Sequence, residues 1–136
     1  MNIITVSNTK LTKEFCIQIG NIYISCGWGD IYKWQDIKKS IIKTDYCRFA
    51  TDASGKPIGM LRAFSDMVFT TWLAELIVEK DSQKKGVGTA LLEQFSENFE
   101  HTGIYLTPLK GTEGFFEKIG FTQKDMLLAS SRRSLR

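Results

Sequence analysis

Apolar positions along the chain switch between a period near two and a period near 3.6, which predicts strands alternating with helices. Residues 2–6 alternate weakly and read as a short first strand. Leu11, Phe15, Ile19 and Ile22 then recur at helical spacing, with Gly20 a weak point inside that helix. The segment Cys26-Gly27-Trp28-Gly29-Asp30 breaks the pattern. Asp30 is placed to cap a second helix carrying Ile31, Trp34, Ile37 and Ile41, with Lys38, Lys39 and Lys43 on its wet face. Residues 46–53 and 57–64 read as two strands joined at Ser54-Gly55-Lys56, and a turn at Ser65-Asp66 leads into a long strand over 68–79. After a polar stretch at 80–85, residues 86–99 are helical by period, with Val87, Leu91 and Phe95 on one side and Glu93, Glu97 and Glu100 elsewhere. A short strand at 104–107, a short helix at 112–118 and a last strand at 121–128 complete the pattern.

The order is β-α-α-β-β-β-α-β-α-β, with no linker, repeat or low-complexity segment. The helix after the long strand forms a crossover, so its flanking strands are expected to be parallel neighbours, while the earlier strands form an antiparallel meander. The expectation is an α/β fold, one domain over residues 1–136, with a mixed and mostly antiparallel sheet carrying helices on both faces.

Composition narrows the class of protein. At 136 residues, 43% hydrophobic and 24% charged, the chain reads as an ordinary globular domain that requires no disulfide or metal staple. No apolar run approaches the roughly 20 residues of a membrane span, and Asn2-Ile3-Ile4 is unlike the basic start of a secretory signal. Secretion and membrane insertion are therefore disfavoured. A net charge of +3 is too small to demand nucleic acid; the tail residues Arg132, Arg133 and Arg136 read as a solvated end, with a nucleic-acid arm as the alternative. Cys16, Cys26 and Cys47 are odd in number and form no Cys-x-x-Cys, which points to reduced thiols and a cytoplasmic location. His101 is the sole histidine, so no histidine cluster for a metal exists, and a helix C-terminal cap is its expected role.

The chemistry-bearing segment is Gln83-Lys84-Lys85-Gly86-Val87-Gly88-Thr89, between the long strand and its helix. Two glycines let the backbone turn so that several N–H groups share one concavity, the helix adds its positive dipole end, and Lys84 and Lys85 add mobile charge. A phosphate or pyrophosphate is the natural guest. A Walker loop is excluded because the lysines precede the glycines, and a dinucleotide fingerprint matches weakly because Leu91 stands where the third Gly belongs. The remaining patterns are Gln/Arg-x-x-Gly-x-Gly/Ala, met by Gln83, Gly86 and Gly88, and a plain glycine-rich entry into a helix.

In context this segment resembles the coenzyme-binding loop of the GNAT superfamily of N-acetyltransferases. Val78 stands five positions before Gln83, where the family has an apolar strand end, and Gly114-Phe115-Phe116-Glu117-Lys118-Ile119-Gly120-Phe121 is similar to the family's aromatic closing helix. The segment 58–66 looks like the hairpin before the long strand. The resemblance covers essentially the whole chain. It implies acetyl-coenzyme A as cosubstrate, with amides of Gln83, Lys84, Lys85, Gly86, Val87, Gly88 and Thr89 around the pyrophosphate. It further implies that Leu76, Ile77 and Val78 splay from residues 104–107 to pair with the pantetheine arm, and that an amide near Val78 faces the thioester oxygen. No metal is implied.

Departures from the family pattern are Lys80 for Pro, Leu109 for Asn, and Phe116 where the family usually has a Tyr that protonates the leaving thiolate. Phe116 either lies beside the coenzyme or merely packs; Tyr105, water or a substrate group could supply the missing proton. Glu75 is the candidate general base. By simple alternation it shares a face with Leu73 and Ile77, an odd setting for a carboxylate unless it is paired or chemically active. The competing role for Glu75 is a cross-strand partner of Arg62 or a lysine, and Asp66 reads as a turn residue. Acceptor recognition is expected from Trp28 and Asp30, with Tyr32, Trp34 and Trp72 as further pocket walls; core packing and helix capping are the competing roles. The expected activity is acetyl transfer to a primary amine, small or peptidic, by direct attack in a ternary complex, with a catalytically weak acyl-coenzyme A binding module as the alternative. Nucleic-acid and membrane partners are not expected, and exposed strand edges suit a homodimer.

Overall fold

The computed structural model describes residues 1–124. Five strands, β1 (Asn2–Ile4), β2 (Tyr46–Thr51), β3 (Pro57–Ser65), β4 (Thr70–Val78) and β5 (Gly103–Tyr105), lie in one sheet in sequence order. The first three pairings are antiparallel and β4–β5 is parallel. The helices are α1 (Lys13–Ser25), α2 (Trp34–Ile42), α3 (Val87–Phe99) and α4 (Glu113–Lys118), with short 3₁₀ turns at Asn8–Lys10 and Lys80–Ser82. The α/β fold with a mostly antiparallel sheet and one parallel pair is as the alternation of periods predicts. Of the strand expected at 121–128, residues 121–124 are irregular and the rest lies outside the described residues, as does the basic tail.

Each face of the sheet has its own core. Leu11, Cys16, Ile19 and Ile22 around α1 and Ile37 and Ile41 of α2 bury against Phe49, Met60 and Ile77. Val87, Leu91, Leu92, Phe95 and Phe99 of α3 bury against Tyr46, Ala50, Leu61, Ala63 and Leu73. Two glycines allow close approach. A Cβ at Gly20 would lie 3.2 Å from Ile37 Cδ1, so the residue that weakens α1 by propensity is what lets α2 pack on it. A Cβ at Gly59 would lie 3.1 Å from Val87 Cγ1 and 3.2 Å from the Ile77 carbonyl, which seats α3 directly on β3.

Two local expectations need correction. Asp30 does not cap α2: the helix begins at Trp34 with Lys33 at the cap position, and Ile31, expected on the buried stripe, is 86% exposed. The two glycines at Gly27 and Gly29, both at positive φ, extend the connection beyond the point where the carboxylate could reach the first turn. His101 does not cap α3 either; its Nε2 donates to the Met67 carbonyl (3.1 Å) and ties the helix end to the β3–β4 turn. Asp66 is a turn residue as expected. Its Oδ1 accepts from the amides of Val68, Phe69 and Thr70, and the bonds from Thr70 and its neighbours hold its carboxyl below the ordinary range.

Candidate active site

Parallel pairing between β4 and β5 is limited to Thr70–Gly103, Thr71–Ile104 and Trp72–Tyr105. Beyond that point the strands separate, as expected for 76–78 against 104–107, and the gap opens into a cleft of about 1390 Å³. Its walls are the end of α1 with Trp28, β4 from Leu73 to Val78, the turn into α3, residues 106–109 and α4.

The far end of the cleft is the glycine turn. Gly86 takes the cap position of α3 at φ +84°, a conformation that favours glycine, and no side chain caps the helix. Lys84 is also at positive φ (+61°), so two left-handed residues close together curl the backbone here. The first-turn amides of α3 have no intrahelical acceptor, and its first turn carries no acidic residue, which leaves a concentration of positive dipole at this end. Gln83, Lys84, Gly86, Val87, Gly88 and Thr89 line the cleft; Lys85 does not. A Cβ at Gly88 would stand 3.5 Å from Phe115 and 3.6 Å from Val78 Cγ2, so the missing side chain keeps open the passage between strand and α4.

Backbone direction along β4 follows from one bond. The Glu79 amide donates to Ile58 on β3 (2.8 Å), and antiparallel alternation then turns Ile77 toward β3 but Leu76 and Val78 toward the gap. Ile77 borders the cleft, yet its polar groups belong to the sheet and its side chain to the α1 core, which corrects its expected place among the free strand-end groups. The Val78 carbonyl accepts from Gln83 Nε2 (3.0 Å) and from the Cys26 thiol (3.1 Å), two contacts that no spacing in the sequence announces. Cys26 and Pro108 also line the cleft, neither given a site role by the sequence, and Phe115 of the aromatic closing helix lines it beside Phe116.

Glu75 also lines the cleft, but not in the setting that alternation suggests. Arg62 faces Glu75 and Ala63 faces Leu73, so β4 carries one extra residue, Ala74. This bulge exchanges the faces: Leu73 packs under α3, whereas Glu75 and Ile77 turn to the α1–α2 side. There the Glu75 carboxylate accepts from Arg62 Nε (2.5 Å) and from the Tyr23 hydroxyl (3.0 Å), while Arg62 Nη1 donates to Thr44 Oγ1 (3.2 Å). Cross-strand pairing with Arg62, one of the two roles weighed for Glu75, is therefore present. Burial, with the Glu75 charge beside it, pushes the Tyr23 phenol well above its usual range, so Tyr23 is a fixed donor to the carboxylate. Burial also pushes the Cys47 thiol, opposite Arg62, up to about 12.

The remaining expected residues divide. Trp28 lines the cleft and stacks on Tyr23 (centroids 5.9 Å apart), and Tyr32 packs on the same ring and donates to the Trp28 carbonyl. Trp34 lies outside that lining, in a shallow depression with Lys38 and Lys39. Asp30 is exposed and outside the cleft. Phe116 lines the cleft and meets Phe115 edge-on at 5.1 Å; Tyr105, the candidate replacement acid, is not in the lining.

Comparison with solved structures shows where this architecture recurs. A protein of Deinococcus radiodurans R1 designated an acetyltransferase superposes with a TM-score of 0.79 at 18% identity, over 95% of this chain and 87% of that one. A GNAT-family acetyltransferase of Streptococcus pneumoniae TIGR4 gives 0.73 at 16% identity over 96% of each chain. Glucosamine-6-phosphate N-acetyltransferase of Arabidopsis thaliana also gives 0.73, at 11% identity over 96% and 97%. No curated protein matches the chain in sequence. Identities this low speak for the fold alone, but the sequence model described as "Acetyltransferase (GNAT) family" matches residues 13–121, most of the chain, and the chain therefore belongs to that family.

Proposed function

We propose that the chain is an N-acetyltransferase that moves an acetyl group from acetyl-coenzyme A directly to a primary amine. The observation that carries this reading is the cleft itself. It runs from an uncapped helix N-terminus, suited to a pyrophosphate, along a strand edge with backbone groups facing the gap, to a carboxylate at the opposite face. The coenzyme supplies the acetyl group as a thioester. Amides of Gly86, Val87, Gly88 and Thr89 hold its phosphates, with Lys84 beside them. The strand edge at Leu76 and Val78 aligns the arm, for which Gln83 or Cys26 gives up its bond to the Val78 carbonyl. An amide of this edge stabilises the charge gathering on the thioester oxygen.

An amine of pKa near 10 is mostly ammonium at neutral pH and must lose a proton first. Glu75 accepts that proton, through water, on the carboxylate that Arg62 and Tyr23 hold in place. The nitrogen lone pair then forms the new C–N bond as the C–S bond breaks, the electron pair leaves on sulfur, and the nitrogen gives its second proton to solvent to become the neutral amide. A thiolate of pKa roughly 8.5 departs and takes its proton from solvent, since Phe116 has none to give. Stoichiometric release of thiol with an amine tests the reaction.

A second reading, a binding or sensing module with little turnover, draws on two features: Phe116 in the acid position, and a Glu75 already engaged by two donors. Cysteine chemistry locates the ligand under either reading. Cys26 lines the cleft, Cys16 is fully buried and burial raises its thiol, and Cys47 is raised to about 12. Iodoacetamide should label Cys26 well before the other two, and saturating acetyl-coenzyme A should slow that labelling. An unchanged rate would place the coenzyme elsewhere.

A further inference from the structure

We infer that the acceptor is a primary amine carrying a flat apolar group on a short tether, held on a platform formed by Trp72, Tyr105 and Phe64; the inference rests on the transfer reaction proposed above. Phe64 is registered directly opposite Trp72, and Trp72 opposite Tyr105, so the three residues form one row across β3, β4 and β5 on a single face of the sheet, with the Tyr105 ring leaning back over Gly103. They are 41%, 42% and 43% exposed, an unusual outlay of aromatic surface for a sheet face next to a core. With strands about 4.8 Å apart, the row is roughly 10 Å wide, room for one or two fused rings.

Three features tie this face to the site. The Trp72–Tyr105 pair is the last rung before the strands separate, so the platform abuts the apex of the cleft. The turn that holds the phosphates belongs to α3, on the opposite side of the sheet, which leaves the α1–α2 side for the second substrate of a direct transfer. The bulge at Ala74 is what places Trp72 on the same face as Glu75; under unbroken alternation the two would point to opposite sides. Three residues of strand separate them, about 10 Å, a distance that a ring and a tether of two to four carbons span.

Charge agrees with an apolar amine. Arg62, the cation within this row of strands, is committed to Glu75 and Thr44 and lies over the Phe64 ring at 5.8 Å. It is not free to receive a phosphate or carboxylate on the acceptor. A ring with no charge of its own suits the exposed aromatic faces, and the tether carries its amine toward Glu75. Met67, Val68 and the 78% exposed Phe69, at the tip of the β3–β4 turn, extend the apolar border.

The test pairs binding with turnover. In ¹⁵N-labelled protein with coenzyme A present, phenethylamine should shift the Trp72 indole resonance, assigned through Trp72→Phe, while ethylamine should leave it in place. With acetyl-coenzyme A, kcat/KM for phenethylamine should exceed that for ethylamine by roughly 10- to 100-fold. Trp72→Ala should lower the phenethylamine-to-ethylamine ratio of kcat/KM to near one, chiefly through the phenethylamine KM; Trp72→Phe should keep much of the advantage. An unmoved Trp72 signal, or equal use of the two amines, overturns the platform while turnover itself upholds the transfer reaction. A shift without turnover of either amine does the reverse. A Trp72 signal that moves with protein concentration alone assigns the face to a second copy and also overturns the inference.

Discussion

Acetyl-coenzyme A at a hundredfold excess over its dissociation constant should raise the unfolding temperature by about 10 °C, and ADP at the same concentration should do much less. Linkage sets the scale: such an excess stabilises the native state by about 2.7 kcal/mol, and a domain of this size gains a few degrees per kcal/mol. Gly88→Val should abolish most of the rise. The passage it would fill is bounded by Phe115 and Val78 at ordinary contact distance, so the variant should fold while blocking the route between strand edge and helix. Gly88→Ala should keep most of the rise, because that contact is uncrowded. Gly86→Ala loses both ways, since an L-residue at φ +84° is strained by roughly 1–2 kcal/mol and the turn that aims the amides is disturbed. The difference with and without coenzyme, measured variant by variant, separates binding from intrinsic stability. An equal rise in wild type and Gly88→Val would remove the coenzyme from this turn.

The second large effect is expected at Glu75. Glu75→Ala strands the Arg62 guanidinium in a half-buried position and should cost about 3 kcal/mol, the low end for a broken buried pair because both side chains keep 18% exposure. Glu75→Gln retains an acceptor for Tyr23 and Arg62 and should fold better, yet lose about 10²- to 10⁴-fold in rate at neutral pH. pH tells a proton acceptor from a structural strut. As pH rises toward the amine pKa near 10, the free amine no longer needs a base, so the deficit of Glu75→Gln should shrink. A deficit of the same size at pH 7 and pH 10 would make Glu75 a structural partner of Arg62 and nothing more.

Much of this was legible along the chain because it is local. Helical and strand periods set the order of elements, and Gly86 and Gly88 at the helix entry mark the candidate phosphate turn, Gly86 through its left-handed φ and Gly88 through the side chain it lacks. What escaped is set by tertiary contact. Alternation from Leu73 to Ile77 assumes an unbroken pleat, and nothing in Leu73-Ala74-Glu75 announces the bulge that reverses the face. Asp30 has the chemistry of a cap, but the positive-φ glycines around Trp28 carry the chain past it. The Cys26 bond to Val78 joins segments that meet only when α1 packs on β4, and the Gln83 bond depends on the Lys80–Ser82 turn folding Gln83 back over the strand end.

The most direct test of the central claim measures thiol release from acetyl-coenzyme A together with the acetylated amine, by mass spectrometry, across a panel of primary amines. Direct transfer predicts one thiol per acetylated amine, release that depends on the amine, and no acetyl group on the protein at any time. Coenzyme binding that stabilises the fold while no amine elicits thiol release would contradict the transferase reading and leave a binding module.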